Sequence, residues 1–387
     1  MKDYKNLALD VLDYMIKVRR DLHRRPCLTD HERETTEYIA VQMGELGIAC
    51  HIDQKYNLIA KISGKDGRKL ALRADTDALP ITEDTGLDFS SEKAGVMHAC
   101  GHDLHVANLL GVAKVLSENK QDLNGTVYLC FQVGEEQSKG ALEIIEYLES
   151  QGGVDGCFGV HVTPSAQTGT IQSRRREIMA GCSLFSIEVT GKGGHGSSPW
   201  TCVDPIKPAC DILLQLAAVP AFRFSVFDPV VINPCAINSG SAGNIVPEKA
   251  YIEGNFRYFK DSLFDEITAV IENIAKTTSQ AYGAEAKLIL PGQHTPPMIN
   301  HDADFERLSR VLSVQNISFE EISEPWMGSD NFAEYLKKYG GLYCFGGVAE
   351  KDKFPYPVHN PKFNPDEKSL AVFCEMFLAY TDSFLNG

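Results

Sequence analysis

Nine residues, MHACGHDLH from Met97 to His105, hold three histidines, one cysteine and one aspartate. Such side chains can bind a metal ion, arm Cys100 as a nucleophile with His102 as its base, or line a polar loop. Cys100 and His102 lie two apart, so in an extended segment they share a face. Thiolate, imidazole and carboxylate together suit zinc or a neighbouring first-row metal. The rest of the chain offers Glu136 in the triplet GEE, His161 in the apolar run GCFGVHV and His359 in VHNPKFNP. Cys100, His102, Glu136, His161 and His359 are five donors on four segments, one more than a tetrahedral ion uses. That surplus points to two ions sharing a bridging ligand; two-metal hydrolases hold such ions about 3.5–4 Å apart with a water between them. Glu136 would then turn to a metal, leaving Glu135 to face the water as general base. A cysteine nucleophile would leave Glu135, Glu136, His161 and His359 without a task.

These residues need a scaffold, and the apolar patterning supplies one. LIAKISG, KLALRAD, GTVYLCFQVG and GCFGVHV read as strands, with helical patterns HVANLLGVAKVLSENK and GALEIIEYLESQG between them. The alternation predicts an α/β fold, a mixed, mainly parallel sheet flanked by helices. Asp75 and Asp77 follow one strand, Glu135 and Glu136 a second, and His161 closes a third, which places them on the rim where open α/β sheets bind ligands. From residue 184 the rhythm becomes strand, helix, two strands, helix, strand. That order predicts an α+β ferredoxin-like unit over 184–293, inserted into a catalytic domain made of 1–183 and 294–387. Near the start, Thr29 and Glu32 have the spacing of a capping box, with Gly47 ending the helix they open.

Bulk properties narrow the partners. In 387 residues, 52 Asp and Glu outnumber 37 Lys and Arg, for a formal charge of -15, which argues against a nucleic-acid or anionic-membrane surface. The N-terminal MKDYKNLALDVLDYMIKVRR carries Leu9, Leu12, Met15 and Ile16 at helical spacing and reads as one amphipathic helix, not a signal peptide. No apolar run is long enough to span a bilayer. Eleven cysteines without CxxC pairs or a repeating framework point to reduced thiols in a cytoplasm.

RRDLHRRPCLTDHE, ALRADTDALPI, MHACGHDLHVANLLG, VGEEQSKGA, GVHV, GKGGHGSSP, GSAGNIVP, GNFRYF and VHNPKFN follow one another across almost the whole chain. In this order they resemble the aminoacylase/carboxypeptidase family of dinuclear metallohydrolases. The most similar branch holds indoleacetyl-amino-acid hydrolases, hippurate hydrolases and N-acetyldiaminopimelate deacetylases. The resemblance implies a metal-dependent amidohydrolase that cleaves N-acyl amino acids with two divalent ions, zinc or manganese first and cobalt or nickel next. It implies Cys100 as the bridging ligand, Glu136 and His359 completing one metal, His102 and His161 the other, and Glu135 as general base. Asp77 matches an aspartate that orients a histidine ligand. His195 matches a histidine that reaches a partner protomer's site in a homodimer and stabilises the oxyanion, so the inserted unit is expected to serve as lid and dimerisation domain. Asn244 and Arg257 match residues that grip substrate, and Gly328 and Ser329 a loop at its carboxylate end. The chain departs from the branch at Asp330–Asn331, at the HGSSPW lid and in RRREIMAG, all of which bear on substrate. The alternatives are a dipeptidase or carboxypeptidase on the same site, for which an unpaired Asp330 would supply an amine partner, and a catalytically silent binding protein of the same fold.

Overall fold

The structure, a computed structural model, describes residues 3–290, 292–350 and 356–387. It divides into two compact units. One comprises the chain up to Ile178, Ile299–Pro325 and Asp330–Gly387; the other comprises Met179–Met298 with Trp326–Ser329. The second unit thus starts a few residues before the 184 expected from sequence and takes in a short distant segment. Main-chain bonds from Ala180 N–H to the carbonyls of Trp326 (3.0 Å) and Gly328 (3.1 Å) hold that segment there.

The first unit is built on an eight-stranded sheet. Its middle is a parallel set in the order Gly125–Gln132, Arg68–Asp75, Cys157–Gln167, Gly341–Ala349. The antiparallel strands Leu58–Ser63 and Cys50–Ile52 extend one side. Thr170–Ser173, antiparallel to Gly341–Ala349, and Ser318–Glu321 extend the other. The central strands are buried almost throughout, which is why they read as continuous apolar runs instead of alternating ones. Helices His102–Glu118 and Ser369–Asn386 contribute Leu104, Leu109, Val112, Phe373, Phe377 and Tyr380 to the core.

Two local expectations change. The N-terminal segment forms two helices, Tyr4–Asp10 and Leu12–Arg24, instead of one; Met15 and Val18 are buried while Leu9 is largely exposed. The helix Arg33–Glu45 has no capping box. Thr29 Oγ1 donates instead to Asp77 Oδ2 (2.7 Å), and Glu32 Oε1 accepts from Gly134 N–H (2.8 Å). A buried carboxylate and an unpaired loop amide are stronger calls on these side chains than a helix end. Gly47 does terminate the helix, at φ 70° with Ile48 N–H bonded back to Met43 O.

In the second unit, strands Val231–Ser239, Lys249–Tyr258, Gly181–Thr190 and Glu285–Ile289 form an antiparallel sheet in that order. In chain order this is the 4-1-3-2 arrangement of a ferredoxin-like fold. The strands alternate buried and exposed residues, and Phe185, Ile187, Val189, Ile252 and Phe256 pack on helices Ile206–Arg223 and Leu263–Ala281. Among the described residues no helix is long and apolar enough to cross a membrane.

Candidate metal centre

The parallel strands end on a common rim, and each delivers its chemistry there. Strand Gly125–Gln132 leads into a short turn, Glu135–Gln137, flanked by left-handed Gly134 (φ 72°) and Ser138 (φ 55°), which brings both glutamates onto the rim. His161 lies within strand Cys157–Gln167. Cys100 precedes Gly101, which caps helix His102–Glu118 at φ 86° and makes His102 its first residue, so the pair spans a turn and not an extended segment. A Cβ on Gly101 would lie 2.5 Å from Val162 Cγ2; only glycine lets this turn sit against the strand. His359 also takes a left-handed backbone (φ 64°), held by its N–H on Ala99 O (2.8 Å).

The five expected donors converge. Cys100 Sγ lies 3.3 Å from His161 Nε2 and 3.3 Å from His359 Nε2. Glu136 Oε1 lies 3.6 Å from His359 Nε2 and 3.8 Å from His102 Nε2. Ligands about 2.0–2.3 Å from a tetrahedral ion stand roughly 3.3–3.7 Å from one another, so the gaps of 3.3 Å at Cys100 and 3.6 Å between Glu136 and His359 match ligand-to-ligand edges. His102 Nε2 and Glu136 Oε1 are buried without a hydrogen-bond partner. Buried polar atoms are normally satisfied, so donors left open toward a common point fit a cation. Among the described residues, four clusters of possible ligand atoms lie on this rim; two of them, Cys100–His102–His161 and Cys100–Glu136–His359, share the thiol, and the others are Asp75–His102–His105 and His102–Glu135–Glu136.

Asp77 organises the rim. Its Oδ1 accepts from Glu135 N–H (3.2 Å) and its Oδ2 from Glu136 N–H (3.1 Å) and Thr29. His102 Nδ1 donates to the Asp77 carbonyl (2.8 Å) and lies 3.3 Å from Oδ1, which leaves Nε2 as the free lone pair.

The electrostatics follow from burial and crowding. Burial, then Asp330 and Glu136, push the Glu135 carboxyl well above the usual carboxylate range. Burial, then Glu136, raise the Cys100 thiol, a penalty that a cation at this point reverses. Burial works against a charge on His102, but Asp75 and Cys100 prevail and raise it. Burial and the neighbouring His105 lower His161 to about 3, leaving the neutral imidazole that ligation needs.

Two residues that sequence reasoning passed over complete the rim. Arg73, buried in its strand, bonds Asp75 Oδ2 (2.6 Å) and both oxygens of Asp330 (3.0 and 3.1 Å). Asp330 also accepts from Tyr343 Oη (2.5 Å) and Phe332 N–H (2.7 Å), so it is no unpaired acid awaiting a substrate amine. A lone arginine inside the apolar LALRA was the available signal. His105, three residues after His102, bonds Asp75 Oδ1 through Nδ1 (2.5 Å).

The remaining expected residues lie in the second unit. His195 and Asn244 are brought together by the two-stranded ladder His195↔Ile245 and by Gly196 N–H on Asn244 O (2.8 Å). His195 Nδ1 lies 3.1 Å from Ser197 N–H, which donates to it, so Nε2 carries the proton and is a donor. Arg257 Nη1 bonds Met327 O (2.6 Å), tying it to the loop that holds Gly328 and Ser329. In the first unit, a cleft of ≈ 400 Å³ borders Glu136, its walls formed by Leu28, Ala78, Leu79 and Pro80 with Thr29, Asp30, His31 and Gln137.

Comparison with known proteins gives a consistent set. The sequence profile of Peptidase family M20/M25/M40 matches residues 71–383. Thermostable carboxypeptidase 1 of Saccharolobus solfataricus is 35% identical over 374 residues, covering 95% of this chain and 94% of that protein. N-acetylcysteine deacetylase of Bacillus subtilis is 32% identical over 369 residues, covering 94% of each. The crystal structure of the Bacillus subtilis YXEP protein, a dinuclear metal binding peptidase from the M20 family, superposes with a TM-score of 0.82. It is 31% identical, with 97% of this chain and 99% of that one covered.

Proposed function

The chain belongs to peptidase family M20/M25/M40 and is a metal-dependent hydrolase, and from that premise we propose that its substrate is an N-acyl amino acid, cleaved at the amide to a carboxylate and a free amino acid. The observation that carries the reading is Cys100 Sγ standing 3.3 Å from both His161 and His359, with Glu136 and His102 open toward the same region. Cys100, Glu136 and His359 would hold one ion and Cys100, His102 and His161 the other. Zinc suits the thiolate and imidazole donors directly, and manganese, cobalt and nickel are the alternatives for the same ligand set. When bound, such ions polarise the scissile carbonyl and make water a stronger acid.

The side chains supply the rest. Glu135, half-buried beside Glu136, accepts the proton of the attacking water and returns it to the leaving nitrogen. His195 offers Nε2–H to the oxyanion. Arg257 and Asn244 hold the amino-acid carboxylate, Arg257 through its planar fork, with Gly328 and Ser329 beside them. The cleft next to Glu136 is within the size range of small-molecule pockets and gives the acyl group an apolar wall. With Asp330 committed to Arg73, the feature that would have favoured a free substrate amine is spent, which favours an acyl over an aminoacyl substrate.

His195 acts across a homodimer in this reading, and the eleven free thiols suit a reducing cytoplasm. The test is amine release from a panel of N-acyl amino acids and dipeptides. Preference for the N-acyl compounds supports the proposal; hydrolysis of dipeptides alone would overturn it. Mixing inactive His195→Ala with inactive Glu135→Gln should restore part of the activity, and no recovery would count against a shared site.

A further inference from the structure

We propose that His105 is a positioning residue for the metal ligand His161, acting through the backbone of Val162; the assignment rests on the dinuclear reading above. Helix His102–Glu118 places residues 102 and 105 three apart, on one face, and both are buried. His105 Nε2 accepts the Val162 N–H at 3.0 Å, so that nitrogen carries no proton. The proton is on Nδ1, which donates to Asp75 Oδ1 at 2.5 Å. His105 stands with Asp75 and His102 in a group whose ligand atoms lie within 4.8 Å of one another, yet both its nitrogens are committed. It has no lone pair to give a metal.

Its commitment to Val162 has a consequence one step further on. The ladder between strands Arg68–Asp75 and Cys157–Gln167 ends at Arg73↔Gly159. Three residues later the Val162 N–H takes an imidazole as its acceptor where a strand carbonyl would otherwise serve. The Val162 carbonyl in turn accepts from His161 Nδ1 at 2.7 Å, which fixes the tautomer and leaves the Nε2 lone pair facing Cys100 Sγ. Arg73 anchors the other end by its 2.6 Å bond to Asp75. Arg73, Asp75, His105, Val162 and His161 therefore form one hydrogen-bonded column that ends at a ligand. Removing His105 frees the main chain beside His161 without touching Cys100, Glu136 or His359.

The test is a titration of the metal-stripped, folded protein with Co²⁺, followed by absorption and by metal content. Wild type should take two equivalents. His105→Ala should take the first with near-normal affinity, keeping the thiolate-to-cobalt absorption of Cys100, and bind the second about 10- to 100-fold more weakly, the usual effect of removing a ligand's supporting bond. His105→Gln, whose amide offers an acceptor and a donor together, should recover part of that loss. Asn108→Ala, buried in the same helix one turn beyond His105 but no member of the hydrogen-bonded column, should leave both affinities in place. Unchanged affinity for both equivalents in His105→Ala would overturn the proposal, and so would an equal weakening in Asn108→Ala, which would signal general loosening. A wild type that binds no second equivalent would overturn the dinuclear reading and this assignment with it.

Discussion

Asp77→Asn looks conservative, but the geometry says otherwise. The buried carboxylate receives Glu135 N–H (3.2 Å) at Oδ1, which also lies 3.3 Å from His102 Nδ1; Oδ2 receives Glu136 N–H (3.1 Å) and Thr29 Oγ1–H (2.7 Å). Every neighbour is a donor. An asparagine has one acceptor oxygen; turned toward Glu136 N–H and Thr29 it keeps those two bonds but sets its NH₂ against Glu135 N–H, so one charge-assisted bond is lost and the other two become neutral. The lost bond is worth about 1.5–3 kcal/mol and the two that become neutral about 1 kcal/mol less each, so the loss is about 4 kcal/mol. The first unit has about 260 residues, and at about 2.1 cal/mol/K per residue its unfolding entropy is about 0.55 kcal/mol/K, so the expected drop in Tm is about 7 °C. Because Asp77 also holds His102 and the Glu135–Glu136 turn, chelator competition should show metal affinity 10- to 100-fold weaker. Calorimetry and competition together check both numbers. A Tm within 1 °C of wild type with unchanged affinity would refute the idea that this carboxylate organises the rim.

Two further outcomes rest on separate features. Burial acts to raise the Glu83 carboxyl, but His23, Thr85 and the Ser91 N–H prevail and hold it down to about 2; a carboxyl lowered on folding adds stability above about pH 4.5 that is lost as pH falls toward 2, up to about 3 kcal/mol, so Glu83→Gln should unfold at higher pH in an acid titration, and a superimposable curve would contradict this. Gly101→Ala puts a methyl 2.5 Å from Val162 Cγ2 at a φ of 86°, so it should cost about 2–3 kcal/mol in denaturant unfolding and weaken metal binding; a neutral substitution would mean that the turn is free to shift.

Much of the fold was legible because its signals are local. Buried parallel strands show as apolar runs, and the change in the order of elements near residue 184 falls a few residues inside the second unit. Cys100, His102, Glu136, His161 and His359 could be picked out as candidate donors because cysteine, histidine and glutamate concentrated in short motifs have few other joint uses. What holds the donors was less visible, because it depends on contacts between distant segments. Thr29 and Glu32 have capping-box spacing, yet their partners are Asp77 and Gly134, 48 and 102 residues away. Asp330 reads as a spare acid until Arg73, 257 residues earlier, is placed against it. The break at Val11 and the assignment of Trp326–Ser329 to the second unit likewise follow from tertiary packing, which no local pattern records.

The most direct test of the central claim is to strip the protein with a chelator and add metal back in fractions of an equivalent, measuring bound metal and amine release together. Activity should vanish on stripping and reach its full value only as the second equivalent is taken up, with Cys100→Ser weakening both. Full activity in the stripped protein, or a plateau of both binding and activity at one equivalent, would contradict a two-metal site built around Cys100.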